Sequence, residues 1–284
     1  MLRSLYAGVS GMKSNQTKMD VIGNNISNVN TTGFKTGRVS FKDLFSQTIS
    51  SAQGSTSSTG GINAMQVGLG VSLATIGNIM TGGSIQSTGR DLDVAIEGQG
   101  FLVVSPDSGS TILYTRDGTL NTDRQGNLVT ASGMKVQGFL PSTVSQDPTD
   151  ISNTIRGNLL VPQTIGSHKL EEVSIDGNGY VKGIYNGEIY YIGRIALAKF
   201  SNPEGLEKMG NNTYAKSSNS GEPSYGSSGV DGMGRIRTGC LEMANVDLAT
   251  EFTEMIITSR AYSANSKIIT TSDEMLQELI GLKR

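Results

Sequence analysis

Few residues in this 284-residue chain are equipped to make or break bonds. The single histidine, His168, has no cysteine or second histidine near it, so neither a metal site nor a serine-histidine-aspartate arrangement has its parts. It reads as a surface histidine. Cys240, the one cysteine, lies between Gly239 and Leu241 with no basic neighbour closer than Arg237 to lower its pKa, and reads as a packed or surface thiol. Gly68 with Gly70, and Gly98 with Gly100, are fragments of a phosphate-cradling loop that lack the helix and basic residue needed to complete it. Asp176-Gly177-Asn178-Gly179 begins like a calcium loop but lacks the downstream glutamate and sits between strand-like runs, which makes it a hairpin turn. Asp91 with Asp93, and Glu171 with Glu172, are paired carboxylates for which surface charge is the simpler reading. No catalytic, cofactor or metal residue is assigned, and the expectation is a protein that is not an enzyme and carries no cofactor.

The composition narrows the partners. Net charge is −2 and the basic residues are scattered, so there is no positive stripe to neutralise a phosphate backbone and nucleic acid is not expected. A lone cysteine leaves the fold independent of an oxidising compartment. Met1 to Val9 has neither the apolar core nor the cleavage site of a secretory leader, and no run approaches membrane-spanning length. At 36% hydrophobic residues, the chain can bury a sizeable core, and its 37 glycines imply many turns.

The strongest pattern lies at the two ends. Between Asp247 and Arg284, the residues Leu248, Met255, Tyr262, Ile269 and Leu276 recur every seven positions, with Ala261, Ile268, Met275 and Leu282 on the adjoining row. Asn245 or Asp247 can cap this helix, no proline interrupts it, and at ~1.5 Å per residue it would reach about 55 Å. The first helix runs from about Leu2 to Asn28, with Leu5, Met12, Met19 and Ile26 on one row and Leu2 and Val9 beside it. Gln16 and Gly23 weaken its second row, so its order must come from packing. A plain two-helix hairpin on its own β-domain would account for both seams. Three features favour rows completed by other copies of the chain: the seams mix small and polar residues with bulky ones, the exit from the first helix is loose, and both helices are tethered to a separate domain.

Between the helices, Asn24 to Lys35 reads NNISNVNTTGFK and leads from helix into extended chain. Phe41, Leu44 and Phe45 form a short apolar patch before the Ser/Thr/Gly-rich SSAQGSTSSTGG, which reads as a connector or loop. From Val67 to Gly239, strand-like runs at Val94 to Ile96, Phe101 to Val104, Ile112 to Tyr114, Ile189 to Ile192 and Ile195 to Phe200 alternate with turn signals. Those signals are Asp117-Gly118, Gln125-Gly126-Asn127, Asp176-Gly177 and Asn186-Gly187. Pro141 to Pro162 and Asn211 to Gly232 read as longer loops. The fold class is α+β. Its expected parts are an N-terminal helix over 1–30, a connector and loop over 31–66, one β-rich domain over 67–239, and a C-terminal helix over 240–284 that pairs with the first in a coiled-coil-like inner domain.

LYAGVSGM at Leu5 to Met12 and NNISNVNTTGFK resemble the N-terminal signature of the bacterial flagellar rod and hook proteins. VGLGVSL at Val67, TGRDLDVAIEGQGFLVV at Thr88, YTRDGTLNTDRQGNLV at Tyr114 and the stretch from Asn245 to Leu279 follow in family order. Asn24, Asn25, Asn28, Thr32, Gly33, Phe34 and Lys35 carry the signature. The segments Ile195 to Glu222 and ITTSDEMLQEL resemble hook subunits more than distal rod proteins, while the length fits a distal rod protein and leaves no room for an additional outer domain.

The resemblance implies a structural subunit that polymerises into a helical tube and transmits torque. The short hook subunit is the first expectation and the distal rod protein the second. It implies partners in further copies of the chain, adjoining rod and hook-filament junction proteins and the flagellar export apparatus, which would carry the chain out without a cleaved signal peptide. The expected assembly interface comprises Leu5, Val9, Met12, Met19, Ile26, Leu248, Met255, Tyr262, Ile269 and Leu276. Methionines such as Met12 and Met275 would adapt to neighbours, and Gly8, Gly11, Ala261 and Ala264 would let helices approach closely. A secreted β-rich binding module or adhesin, dimerised by its helices, is the reading from another class; a β-rich hydrolase has no site to support it.

Overall fold

The computed structural model describes residues 2–55, 60–107, 109–141, 144, 146–147, 151, 156–166 and 168–282. The chain divides into two compact units. One contains Met1–Ser27, Gly37–Ile79 and Val246–Arg284, and the other Asn28–Thr36 and Met80–Asn245.

The first unit is built on helices α1 (Leu2–Ser27) and α2 (Leu248–Gly281). Asp247, one of the two expected caps, caps α2, accepting hydrogen bonds from the Ala249 N–H at 3.1 Å and the Thr250 hydroxyl at 2.7 Å. The helices run antiparallel. Ser4 meets Ser272 at one end, Lys18 Nζ lies 2.6 Å from Glu254 Oε2, and Asn25 donates to Glu251 at the other. Their buried strip is mostly small or polar: Gly8, Gly11, Ser14 and Asn25 on α1, with Ile22, and Thr258 and Ser272 on α2. A Cβ at Gly8 would stand 3.2 Å from Ile269 Cγ1 and one at Gly11 2.7 Å from Asn265 Nδ2, so both glycines permit the close approach.

Residues 37–66 depart from the expected connector, and 67–78 fold with them. They form a two-stranded ribbon in which β1 (Gly37–Asp43) pairs with β4 (Val71–Asn78) and β2 (Ser46–Ser50) with β3 (Met65–Gly68). Leu44 N–H to Gly70 O links the two pairings, and a Gln53–Ile62 bridge extends the ribbon toward 56–59, which lie outside the described residues. Composition suggested a loop because Ser, Thr and Gly satisfy turns. What it hides is that the runs on either side pair in antiparallel register and satisfy each other's backbone groups. The β-rich unit therefore starts at Met80 rather than Val67, and takes in Asn28–Thr36 and 240–245.

Among the described residues the second unit carries a 14-stranded antiparallel sheet system. Its main path runs through Thr164–Ile165, His168–Ile175, Tyr180–Tyr185, Glu188–Ile195, Lys135–Phe139, Phe101–Ser105, Leu113–Thr115, Thr213–Ala215 and Glu207–Gly210. Asn186-Gly187 turns one hairpin with φ of 52° and 82°, the paired left-handed conformation such a turn requires. Asp117-Gly118, expected as a turn, joins strands that do not pair with each other. Leu113–Thr115 pairs with Phe101–Ser105 and Thr213–Ala215, and Gly118 instead lets its chain pass close to Val94, where a Cβ would lie 1.6 Å from the carbonyl oxygen. Two shorter pairings, Val94–Glu97 with Arg235–Thr238 and Ile85–Ser87 with Cys240–Glu242, complete the unit. One cluster of core side chains gathers Leu102, Leu128, Val136, Leu159 and Ile195, and a second is built on Phe101, Tyr114, Phe139, Phe200 and Tyr214. Phe101 meets Phe200 and Tyr214 edge-on, the arrangement ring quadrupoles favour.

Candidate functional site

The residues that could do chemistry are placed as packing. Cys240 is buried, Glu171 and Glu172 are exposed, and half-buried His168 lies in a strand. Asp93 corrects the surface reading: it is buried, accepts from the Thr88 hydroxyl at 2.7 Å and lies 3.5 Å from Arg90. Among the described residues no three metal-ligating side chains come together. No described helix is long and apolar enough to cross a membrane.

Two places remain. The first is the apolar surface of the helix-and-ribbon unit. Leu5, Met12, Met19, Ile26, Met255, Ile269 and Leu276 are half-buried, whereas Val9, Leu248 and Tyr262 are exposed. The helix pair thus only partly covers the heptad rows. Of the adjoining row, Ile268, Met275 and the C-capping Leu282 face outward, and so do Phe252, Ile256, Ile257 and Leu279 of α2, which the seven-residue count did not isolate. The ribbon adds Phe45, 90% exposed, and Ile49, Met65 and Ile76. A soluble monomer rarely presents so much large apolar surface without a partner for it.

The second place is a buried charge cluster in the β-rich unit, organised by the second half of the signature. Lys35, fully buried, puts Nζ 2.6 Å from Glu242 Oε1 and 2.8 Å from the Thr81 carbonyl. Arg116 Nη1 donates to Glu242 Oε2 at 3.0 Å and Nη2 to the Gly98 carbonyl at 2.8 Å. The Gly83 N–H gives Glu242 Oε1 a further donor at 3.0 Å. Burial alone would raise the Glu242 carboxyl; Arg116, Lys35 and the hydrogen bonds from Lys35 and Gly83 outweigh it and hold the group below its ordinary value. Burial pulls the Lys35 ammonium down more than Glu242 restores it, as two cations sharing one carboxylate require.

Around this cluster the signature residues have separate tasks. Gly33 adopts φ 67° and donates its N–H to the Glu242 carbonyl; a Cβ there would stand 2.7 Å from the Arg116 backbone. Thr32 bonds Asp117 at 2.9 Å, and its carbonyl accepts from Asn212. Phe34 is buried with the Lys208 ammonium 4.6 Å from its ring centroid. The Thr36 N–H and hydroxyl both reach Asn245 Oδ1. Asn24 and Asn25 belong to the other unit, at the end of α1, where Asn25 exchanges two 2.9 Å hydrogen bonds with the Gly37 backbone. Asn28 is half-buried, with its carbonyl accepting from the Thr31 N–H. Sequence reasoning missed Glu242 and saw Asn245 only as a possible helix cap, because nothing near either in the chain marks its partner some two hundred residues away.

Three family models match along the chain. Residues 5–35 match "Flagella basal body rod protein", 95–183 match "Flagellar hook protein FlgE/F/G D1 domain", and 237–282 match "Flagellar basal body rod FlgEFG protein C-terminal". The chain is 46% identical over 286 residues to the flagellar basal-body rod protein FlgG of Bacillus subtilis, with 100% of both chains covered. It is 40% identical over 287 residues to FlgG of Borreliella burgdorferi, again covering 100% of each. To the flagellar hook protein FlgE of Borreliella burgdorferi it is 32% identical, covering 100% of each chain over an alignment of 443 residues. With signature, β-rich centre and C-terminal helix all matched in order, the chain belongs to the flagellar rod and hook protein family, whose members are structural components of the flagellum.

Proposed function

We propose that the chain is the distal rod subunit of a flagellum, assembling into a straight helical tube that carries torque. The observation that carries this is length. Rod relatives align over 286 and 287 residues with both chains fully covered, whereas the hook relative needs 443 to accommodate both. The hook subunit, first in expectation, rested on local likeness at Ile195–Glu222 and the C-terminal run, and becomes the second reading. The adhesin reading gives way to the family assignment.

In this proposal α1 and α2 form a coiled-coil-like inner layer. Their uncovered rows, Phe252 with Ile256 and Ile257 to Leu282, bury themselves against other copies, with Leu5, Val9, Met12, Met19, Ile26, Leu248, Met255, Tyr262, Ile269 and Leu276 divided between the hairpin and its neighbours. Head-to-tail contacts do not close, so growth is open-ended. Adjoining rod and junction proteins continue the tube, and the flagellar export apparatus delivers the chain. Electron microscopy of polymer grown from the purified chain tests the reading. Straight tubes are expected; curved tubes return the hook, and a particle of fixed small mass overturns both.

A further inference from the structure

The β-rich unit holds a cavity of about 230 Å³ that the structural role leaves unused. Met80, Phe101, Phe200 and Pro203 give it apolar walls, and its ionisable lining groups are two cations, Arg116 and Lys199. Among the described residues no carboxylate lines it.

The charge count around Arg116 is uneven. Lys35 and Arg116 share the single carboxylate of Glu242, whose oxygens already accept from Lys35, Arg116 and Gly83. Arg116 is 4% exposed, its guanidinium carbon is 5.2 Å from the Phe101 ring centroid, and its Nε has no hydrogen-bond partner among the described residues. The guanidinium cannot move without breaking its bonds to Glu242 and Gly98. Lys199 is held differently. Its Nζ makes one long contact, 3.4 Å to the Gly232 carbonyl, and although Lys199 and Asp231 both border a second depression, the two form no ion pair among the described residues. An excess positive charge in low dielectric, beside a cavity with a second, movable cation, favours an anion there.

We propose that this cavity is a carboxylate-binding subsite, taking one acidic group on a short aliphatic stem, with Arg116 as the fixed cation and Lys199 as the one that closes on it. The apolar walls take the stem and exclude a bare inorganic ion's hydration shell. The carboxylate comes from a free organic acid or from an acidic side chain of a second copy, the latter source resting on the assembly reading above.

Butyrate titrated into the unassembled full chain tests the subsite, read from the amide NMR signals of Gly100, Phe101 and Ser201. Saturable shifts are expected with butyrate, none with the uncharged butyramide, and affinity about tenfold weaker in Lys199→Gln, the loss of one charge-assisted contact. Absence of saturation, equal binding of butyramide, or unchanged affinity in Lys199→Gln overturns the proposal. Carbodiimide coupling then separates the sources. Lys199 joined to an acidic residue of another copy in the polymer identifies the side chain, and Lys199 uncoupled while butyrate binds identifies the free acid. A chain that fails to polymerise leaves the butyrate result standing, so the two readings fail separately.

Discussion

The two units solve the problem of apolar surface in opposite ways. In the helix-and-ribbon unit Ile22 is the only buried hydrophobic side chain among the described residues. The rest of the buried core, from Val94 to Ala244 with Phe34, belongs to the β-rich unit. Exposure is reversed. Apart from Val144, Leu160, Ile189, Met209 and Val230, every exposed large apolar residue described lies in the helix-and-ribbon unit. An isolated two-stranded ribbon and a helix pair whose contact strip is Gly, Ser and Thr bury too little to be stable alone. The β-rich unit is a finished fold; in the proposed tube the other is the part left for neighbouring copies to cover.

The largest expected effect breaks this contrast at its exposed side. Ile256→Asp, at a position 56% exposed, is expected to leave the β-rich unit folded and abolish polymer, read by sedimentation and electron microscopy. Normal polymer would show that the row is not an interface.

Next comes the buried side. Glu242→Gln leaves Lys35 and Arg116 without a counter-charge and is expected to cost about 3–5 kcal/mol, measured by urea unfolding of the β-rich unit. Adding Lys35→Met to it should recover part of that loss, since one uncompensated cation is then gone. No recovery would mean that the carboxylate's hydrogen bonds, rather than its charge, hold the cluster.

A smaller effect is expected at Gly33, where Gly33→Ala forces a side chain into a left-handed backbone and against the Arg116 main chain. The loss should be about 1–3 kcal/mol and appear as faster amide exchange over residues 28–36. Unchanged exchange there would mean that the segment is held without its glycine.

The smallest effect is a pH response of opposite sign in the two units. Glu242 titrates below its ordinary value when folded, so its contribution is complete above about pH 4.5 and is lost as pH falls through the folded value. Glu251, on α2, is raised by burial and by neighbouring Glu254 and Asp247, against the lowering pull of Asn25 and Lys18. Its ionisation opposes the helix pair above its folded pKa, and that opposition is relieved as pH falls toward 4.5. Hydrogen exchange at pH 6 and pH 4 should therefore show protection falling near Glu242 and rising near Glu251. A shift of the same sign in both would remove the contrast.

The sequence by itself determined whatever depends on neighbours in the chain. Seven-residue spacing marked both helices, Asn245 or Asp247 the start of the second, Asn186-Gly187 a turn, and the runs at Val94, Phe101 and Ile195 their strands, because periodicity and backbone preference act over a few residues. The family followed from several motifs in order. The same locality explains the failures. Composition read residues 46–65 as a loop because strand pairing is decided by the partner strand, and Asp117-Gly118 only as a turn signal because its close approach to Val94 is set by the fold. Only the tertiary structure decided that Lys35 and Arg116 share the buried carboxylate of Glu242, and which faces of α2 stay uncovered. A buried charge needs a counter-charge wherever the chain can bring one, and an apolar row is an interface only once the fold has shown what it failed to cover.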